Sequence, residues 1–529
     1  MIRQPAALLA LAAAVLLLPS LLLGTMISHS SPQNLTWAAQ FADQFRAGVL
    51  YPRWMSDSFD GLGGPAFYFY PPLPFWLDAL VSVATANLLS VPHRLSLTWA
   101  ILLWASGLAM HAWLKNQTQS PRIALWGALA YMAAPYHLFD HYTRGALAEF
   151  SAYAFVPLVL LWIRRPTLLA LAYAGLLLSH LPTALLVSVT IVAPYTLFHI
   201  RDPRALLRAM AGGLLGVGLA ATYLVPALLL QRWISADQLW TPFYQAERWL
   251  LLARSRWPDP DTMTVVAYLA AAYAVAATGL CVFFRRRAGV LFWAAVALAC
   301  LALMAGVIPW FWNVSLFAKV QFPWRLLLAI EFAVISALCL AAVGKLGRAG
   351  LYVLVLAALV LIPSGVLMVS DAAARIAFTR ENRPLPQQDA KEYEPKGYPL
   401  SNSVTYEQLG LEPLAGTPLI SCTPTPRLCR AEAGRFGTLS IEIDGDASID
   451  VVLRRFSFPA WRLDPPAPLT AKPPLQLLSF AASPGRHSYR LERMALAEEQ
   501  WGWVISAASL VLLLVSARVT PRSSSRAGS

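Results

Sequence analysis

Apolar residues along this chain come in long runs rather than in the narrow stripes of a water-soluble helix. Thirteen such segments can be marked, near 5–27, 73–92, 97–114, 123–136, 146–163, 167–180, 182–200, 207–230, 263–284, 288–307, 326–345, 349–370 and 499–517. Crossing a hydrocarbon layer of ~30 Å takes roughly 17–25 apolar residues. Backbone groups in lipid must be satisfied within each segment, so the runs predict helices. From Asp371 to Glu499 the pattern changes. "TLSIEIDG", "SIDVVLRRFSF" and "HSYRLERM" alternate with period two between Gly, Pro and Asp, which predicts the strands of a small β-sandwich. The expected architecture is a polytopic α-helical membrane protein of 12–13 transmembrane helices, residues 1–370, with a large first loop over 28–72. A β-rich domain over 371–498 follows, then a last span and a basic tail over 499–529.

Composition agrees with the pattern. The chain is 57% hydrophobic and 13% charged, against roughly 25% charged for soluble proteins. A net charge of +13 raises nucleic acid as a partner, but the basic residues are scattered over short loops and the tail. They form no stripe with interleaved aromatics, so the bilayer is the expected partner and nucleic acid is not.

"RRP" at 164–166, "IRDPR" at 200–204, "RRR" at 285–287, "KLGR" at 345–348 and the tail mark one side as cytoplasmic. The β-domain is then extracytoplasmic in a plasma or inner membrane. The N-terminal apolar run exceeds the 7–15 residues of a signal-peptide core and reads as a retained span. Thirteen crossings would put the first loop and the β-domain on opposite sides, against the basic "MIR" start. Either one early segment, such as 73–92 with its Asp78, does not cross, or a boundary is misplaced.

Two of the five cysteines, Cys422 and Cys429, lie in the polar region as "CTPTPRLC", where an extracytoplasmic disulfide is expected; Cys281, Cys300 and Cys339 fall in apolar spans.

Polar residues carry the functional signal. Only twelve acidic residues precede residue 351, and three of them are Asp43, Asp57 and Asp60 of the first loop. Asp43 and Arg46 share the amphipathic "WAAQFADQFRAG". Arg53 comes next, then Asp57 and Asp60, and then "GLGGP", whose glycine amides suit an anion. A carboxylate beside an arginine can deprotonate a hydroxyl while the cation holds a phosphate leaving group. "APYHLFDHYTRGALAEF" places His137 with His141, and Asp140 with Arg144, on shared helix faces at i,i+4 spacing. His137, Asp140 and His141 are candidates for a divalent metal, or alternatively part of an interfacial ion-pair cluster. His180 sits beside a helix-breaking proline in "LLSHLPT", and Arg325 at the mouth of a span in "QFPWRLL". No P-loop, H-E-x-x-H or dinucleotide fingerprint is present.

Taken in order, "GVLYPRW…DGLGGPAFYFYPPLPF", "HYTRGALAEF", "LLSHLPT" and "QFPWRLL", followed by a β-rich domain and a last span, resemble one family over about residues 30–370. It is the set of bacterial and archaeal membrane proteins labelled "6-pyruvoyl-tetrahydropterin synthase-related", within the GT-C glycosyltransferase superfamily. The resemblance implies transfer of a sugar from a polyprenyl-phosphate carrier to an extracytoplasmic glycan, lipid or protein. It implies an acid of the first loop as base or metal ligand, here Asp43, Asp57 or Asp60. Arg53, Arg144 and Arg325, with His180, are then the lipid-phosphate partners. The family pattern has an Asp-His-rich start to the loop; here it reads "SHSSPQNLTWAAQF", with His29 and no acid. Two other readings use the same residues, a lipid-linked glycan transporter or envelope scaffold, and a membrane anchor for the β-domain. No internal repeat favours transport.

Overall fold

The protein was analysed as a computed structural model that describes residues 3–25, 27–343, 347–380, 389–399, 408 and 417–519. Lys345 and the basic tail beyond Val519 lie outside the described residues. The chain is a polytopic helical membrane protein with a C-terminal sheet domain. Among the described residues, six helices are long and apolar enough to cross a membrane, or seven if the pair Pro203–Leu219 and Ala221–Leu229, bent by 69°, counts as one. The expected 12–13 long spans are therefore not all seen as single helices. Proline explains several of the breaks. Pro135, Pro157, Pro166 and Pro182 each occupy the first turn of a helix. A first-turn proline is tolerated there and disfavours helical geometry in the residue before it.

The segment 73–92, doubted as a crossing, is short in the structure. The helix there, Leu73–Ala84, has 12 residues, about 18 Å at 1.5 Å per residue and too short to span. Its Asp78 is fully buried and bonds Arg94 Nε at 2.9 Å, while Arg94 Nη2 donates to Ala38 O at 2.9 Å. This ion pair clamps the short helix to Val91–Thr118 and to Ser31–Arg46. The first loop and the sheet domain also touch directly, which places them on one side of the helices.

The sheet domain has eight strands: β1 (Ile420–Thr423), β2 (Leu428–Ala433), β3 (Leu439–Gly445), β4 (Ile449–Phe456), β5 (Trp461–Asp464), β6 (Thr470–Lys472), β7 (Leu477–Ala482) and β8 (Gly485–Arg493). They form two antiparallel sheets, ordered β1-β4-β7-β6 and β2-β3-β8-β5. Alternate residues such as Ile441 and Ile443 of β3 and Val451 and Leu453 of β4 fill the space between them. A Cys422–Cys429 disulfide joins β1 to β2, one strand from each sheet.

Docking of this sandwich shapes the first loop. Met55 and Gly64 exchange backbone hydrogen bonds of 2.8 and 2.9 Å, closing a small hairpin over 56–63. Gly63 has φ +82° with its Cα against the Trp54 indole, so a side chain there would overlap the ring. The pairing of β4 with β7 is irregular between Val452 and Phe456, and such irregularities re-aim side chains. Here Arg454 Nη2 donates to Asp60 O at 2.6 Å and Arg455 Nη1 to Gly61 O at 2.7 Å. Trp54 packs edge-on to Trp461 with centroids 5.2 Å apart, and Phe59 meets Phe456 at 5.4 Å.

Candidate functional site

The site is built around a turn. Residues Asp140–Arg144 form a π-helical turn that ends at Gly145 with φ 60°. A Cβ at Gly145 would collide with Ser28 Oγ, because the start of the loop helix Ser31–Arg46 grips this turn. His29 N donates to Thr143 O at 3.3 Å, Ser30 N to Arg144 O at 3.0 Å, and Asn34 Nδ2 to Gly145 O at 2.7 Å.

Beneath this grip lies a knot of buried charge. Arg144 Nη1 donates to Asp140 Oδ1 at 2.5 Å, to Glu149 Oε2 at 2.8 Å and to Tyr136 OH at 2.8 Å. Arg325 Nε reaches the same Glu149 oxygen at 3.1 Å, and its Nη1 donates to Val320 O at 2.6 Å. Tyr136 OH in turn donates to Glu149 Oε1 at 2.7 Å. The carboxylates are sealed, with side chains 0% (Asp140) and 1% (Glu149) exposed, whereas Arg144 and Arg325 keep 9% and 10%. Within the knot the arginines are thus slightly more exposed than the carboxylates they hold. A second buried acid, Glu331, accepts from Tyr136 N, Tyr273 OH and Tyr153 OH at 2.6, 2.9 and 3.1 Å. It ties the helix Leu326–Ala342 to the start of Pro135–Phe139.

A cavity of about 640 Å³ opens nearby. One wall is a face of the loop helix and the residue before it, Ser30, Gln33, Asn34 and Trp37, at the 3–4 residue spacing of a helix. Tyr70 forms part of the lining. Opposite stand Gln238, Thr241, Phe243 and Tyr244, together with the stretch 389–392. The two opposing segments are stitched together by Ser235 N to Glu394 O at 2.9 Å and Lys396 N to Trp233 O at 3.1 Å. Tyr70 links cavity and knot. Burial pushes its hydroxyl up to about 12, and the charges of Arg325, Glu392, Arg144 and Glu149 all reach it.

The cavity's carboxylates are Asp389 and Glu392. Asp389 Oδ2 accepts from Phe59 N at 2.6 Å, and the Ser58 hydroxyl also acts on this carboxylate. Burial raises the Asp389 carboxyl above the usual aspartate value, and the neighbouring Asp60 charge adds to the rise. Neither acid stands out in sequence. They lie in a polar, proline-rich stretch more than 300 residues from the first loop, and tertiary contacts with residues 233–235 and Phe59 hold them there.

The residues expected from sequence are divided among three places. Arg144 and Arg325 meet in the knot, and their charges and that of Glu149 reach His180, whose Nδ1 lies 2.8 Å from Thr183 Oγ1. Arg53 is elsewhere. It is 1% exposed, bonds Glu499 Oε2 at 3.0 Å and Thr222 O at 2.7 Å, and lies 3.9 Å from the centre of the Tyr51 ring. Asp43 is exposed and paired with Arg46. Asp57 and Asp60 are exposed on the hairpin under the sandwich. None of the three lines the cavity. Two of the three "GLGGP" glycine amides are already used: Gly63 N donates to Ser58 O and Gly64 N to Met55 O.

The metal expectation does not fit. Among the described residues, no three His, Cys, Asp or Glu side chains come together to hold an ion. His137 stacks on Tyr153 at 3.6 Å and its Nδ1 meets Tyr131 O, while His141 Nε2 meets Ser20 Oγ at 2.8 Å. His137 Nε2, Asp140 Oδ2 and His141 Nδ1 are each buried and unpartnered, but they do not converge. Of the two i,i+4 pairs expected, Asp140 and Arg144 do meet, at 2.5 Å, whereas His137 and His141 turn to separate partners.

No protein-family model matches the chain, and no curated protein does. Among solved structures it is similar to two cryo-EM structures of the arabinofuranosyltransferase AftD from Mycobacteria, one of them a mutant. Identity is 18% and 19%, each over 70% of this chain, with TM-scores of 0.45 and 0.43. It is also similar to the crystal structure of the Archaeoglobus fulgidus oligosaccharyltransferase complex with Zn and sulfate, at 15% identity over 75% of this chain and a TM-score of 0.38. The chain spans 28% and 27% of the length of the AftD chains and 59% of the oligosaccharyltransferase.

Proposed function

We propose that this chain is a membrane glycosyltransferase that takes a sugar from a polyprenyl-phosphate donor and passes it to an extracytoplasmic hydroxyl acceptor. The observation that carries this reading is the pairing of the arginine-faced knot with the adjoining cavity of amides, aromatics and carboxylates. Arg144 and Arg325 hold the lipid phosphate through the guanidinium nitrogens that Glu149 and Asp140 do not use, and His180 stands beside them. Charge-assisted contacts of this kind stabilise phosphate as it leaves. Trp37, Tyr70, Phe243 and Tyr244 offer ring faces to a sugar. Asp389, with Glu392 as the alternative, takes the proton from the acceptor hydroxyl as its oxygen attacks the anomeric carbon. The bond from that carbon to the phosphate oxygen breaks, and the phosphate leaves on its carrier. In this reading Asp43, Asp57 and Asp60 do not act as the base. Asp57 and Asp60 belong to the platform on which the sandwich rests.

Native mass spectrometry of detergent-purified protein tests the reading. A polyprenyl phosphate should co-purify with the wild type, or bind when added. Arg144→Ala and Arg325→Ala should each weaken it by about ten- to a hundredfold, the worth of one or two charged hydrogen bonds. Arg53→Gln should not. A wild type that binds no polyprenyl phosphate would overturn the assignment.

A further inference from the structure

A second, smaller cavity of about 330 Å³ lies on the far side of the helical body. The helix Val91–Thr118 fixes its place. Near one end, Arg94 donates to Ala38 O of the first-loop helix; near the other, Asn116 lines the cavity. The two positions lie about 33 Å apart along the helix at 1.5 Å per residue, roughly the thickness of a hydrocarbon core. The cavity therefore sits on the face that the basic loops mark as cytoplasmic. Its lining is the turn over 160–165 with Asn116, Tyr195 and His199, and contains no Asp or Glu. Other arginines of this face are already used. Arg287 Nη1 donates to the carbonyls of Leu340, Ala341 and Val343 at 3.2, 2.9 and 2.7 Å, and Arg208 pairs with Asp202. The two arginines of the cavity differ. Arg164 Nη2 donates to His199 O at 2.5 Å, which ties one wall to the other. The Arg165 guanidinium has neither a hydrogen bond nor an ion pair among the described residues, and both arginines are exposed.

We infer that this cavity binds the phosphate of an anionic phospholipid headgroup, taken from the leaflet opposite the candidate site. A guanidinium offers donors only and an ionised phosphate offers acceptors, so the two match without a third group. A zwitterionic headgroup brings an ammonium as well, and in a lining without a carboxylate that charge finds no partner and is repelled by two arginines. The apolar surroundings favour a lipid over a free phosphate ester. Leu197 and Phe198, 67% and 49% exposed, immediately precede His199 in the helix Ala193–His199 and offer a surface to acyl chains. Trp162 of the lining is a residue type that favours the headgroup level. Arginines that merely follow the positive-inside bias need no concavity; here two converge on one.

The test is native mass spectrometry of the full-length protein in detergent, titrated separately with phosphatidylglycerol, phosphatidylcholine and soluble glycerol 3-phosphate. Phosphatidylglycerol should bind about tenfold tighter than phosphatidylcholine, the worth of one charge-assisted contact, with glycerol 3-phosphate weakest. The double variant Arg164→Gln, Arg165→Gln should lose about tenfold in phosphatidylglycerol affinity and the preference with it. Arg165→Gln alone keeps the Arg164 bond to His199 and should lose about threefold, which serves where the double variant does not fold. Arg122→Gln, at the exposed start of the adjacent helix Pro121–Met132 and outside the cavity, should stay within about twofold of wild type, since exposed charges are screened. Equal binding of the two lipids, or phosphatidylglycerol affinity unchanged in the folded variants, would overturn the site. A loss in Arg122→Gln equal to that of the double variant would replace it with a diffuse attraction of the whole face. Glycerol 3-phosphate binding more tightly than either lipid would overturn the lipid assignment in favour of a soluble phosphate ester.

Discussion

Arg53 and Arg144 each lie buried against a glutamate and the ring of a tyrosine, yet their surroundings differ. Arg53 is locked under the sandwich. Its Nε bonds Glu499 and its Nη2 the Thr222 carbonyl, while Glu499 also takes Tyr68 OH at 2.7 Å and lies 3.6 Å from Arg493 of β8. First loop, helix Ala221–Leu229, sandwich and final helix Ala497–Val519 meet at this Arg53–Glu499 pair. Arg144 and Arg325 instead share Glu149 and keep 9% and 10% exposure, next to Gly145, which the cavity-lining Asn34 bonds. A buried arginine–glutamate pair is therefore ambiguous by itself. The proposed phosphate role therefore rests on the greater exposure of Arg144 and Arg325, 9% and 10% against 1% for Arg53.

The largest expected effect tests where the acid of the site lies. Asp389→Asn should lower the rate of sugar transfer by about 10²–10⁴, the usual contribution of a positioned general base. Asp43→Asn and Asp57→Asn should remain within about twofold of wild type. A radiolabelled transfer assay with a prenyl-phosphate sugar decides between them. A large loss in either loop variant with none at Asp389 would reverse the comparison.

Next in size is a stability effect at the Arg53–Glu499 pair, larger than at the Glu149 knot. Glu499→Ala leaves Arg53 buried with no opposite charge and should cost about 3–5 kcal/mol, the range for breaking a buried pair from one side. Glu149→Ala should cost less, because Asp140 still holds Arg144 at 2.5 Å. Denaturant melts of the two variants in the same detergent measure the difference. Equal losses would mean that the second knot is as purely structural as the first.

The fold was largely readable because apolar run length and period-two alternation are local properties. Helices and sandwich strands lie close to where those patterns put them. The lengths of individual spans were not readable, since prolines divide several apolar runs and a buried Asp78–Arg94 pair halts another. The site was half readable. Arg144, Glu149 and Arg325 are charges in apolar surroundings and declare themselves. Asp389 and Glu392 do not, because acids in a polar stretch are unexceptional until tertiary docking carries them to the loop helix. Arg53 sits in a conspicuous motif, but its pairing with Glu499, 446 residues away in sequence, could not be read from it.

The finest distinction concerns Asp60, which sits on the platform but close enough for its charge to act on Asp389. Burial and this like charge both raise the Asp389 carboxyl above its ordinary value. The base works only when deprotonated, so transfer should rise with pH through that raised value, and the acid limb of kcat/KM should lie above the range of an exposed aspartate. Asp60→Asn removes the like charge and favours the Asp389 carboxylate. The limb should then move to lower pH, with the plateau rate little changed. Asp57→Asn should leave the limb where it is, since the charge of Asp57 falls on Arg455 of β4. A pH–rate profile of the three proteins reads the shift directly. A limb unmoved by Asp60→Asn would remove Asp389 as the titrating base, and a limb moved equally by Asp57→Asn would assign the effect to the net charge of the platform rather than to one neighbour.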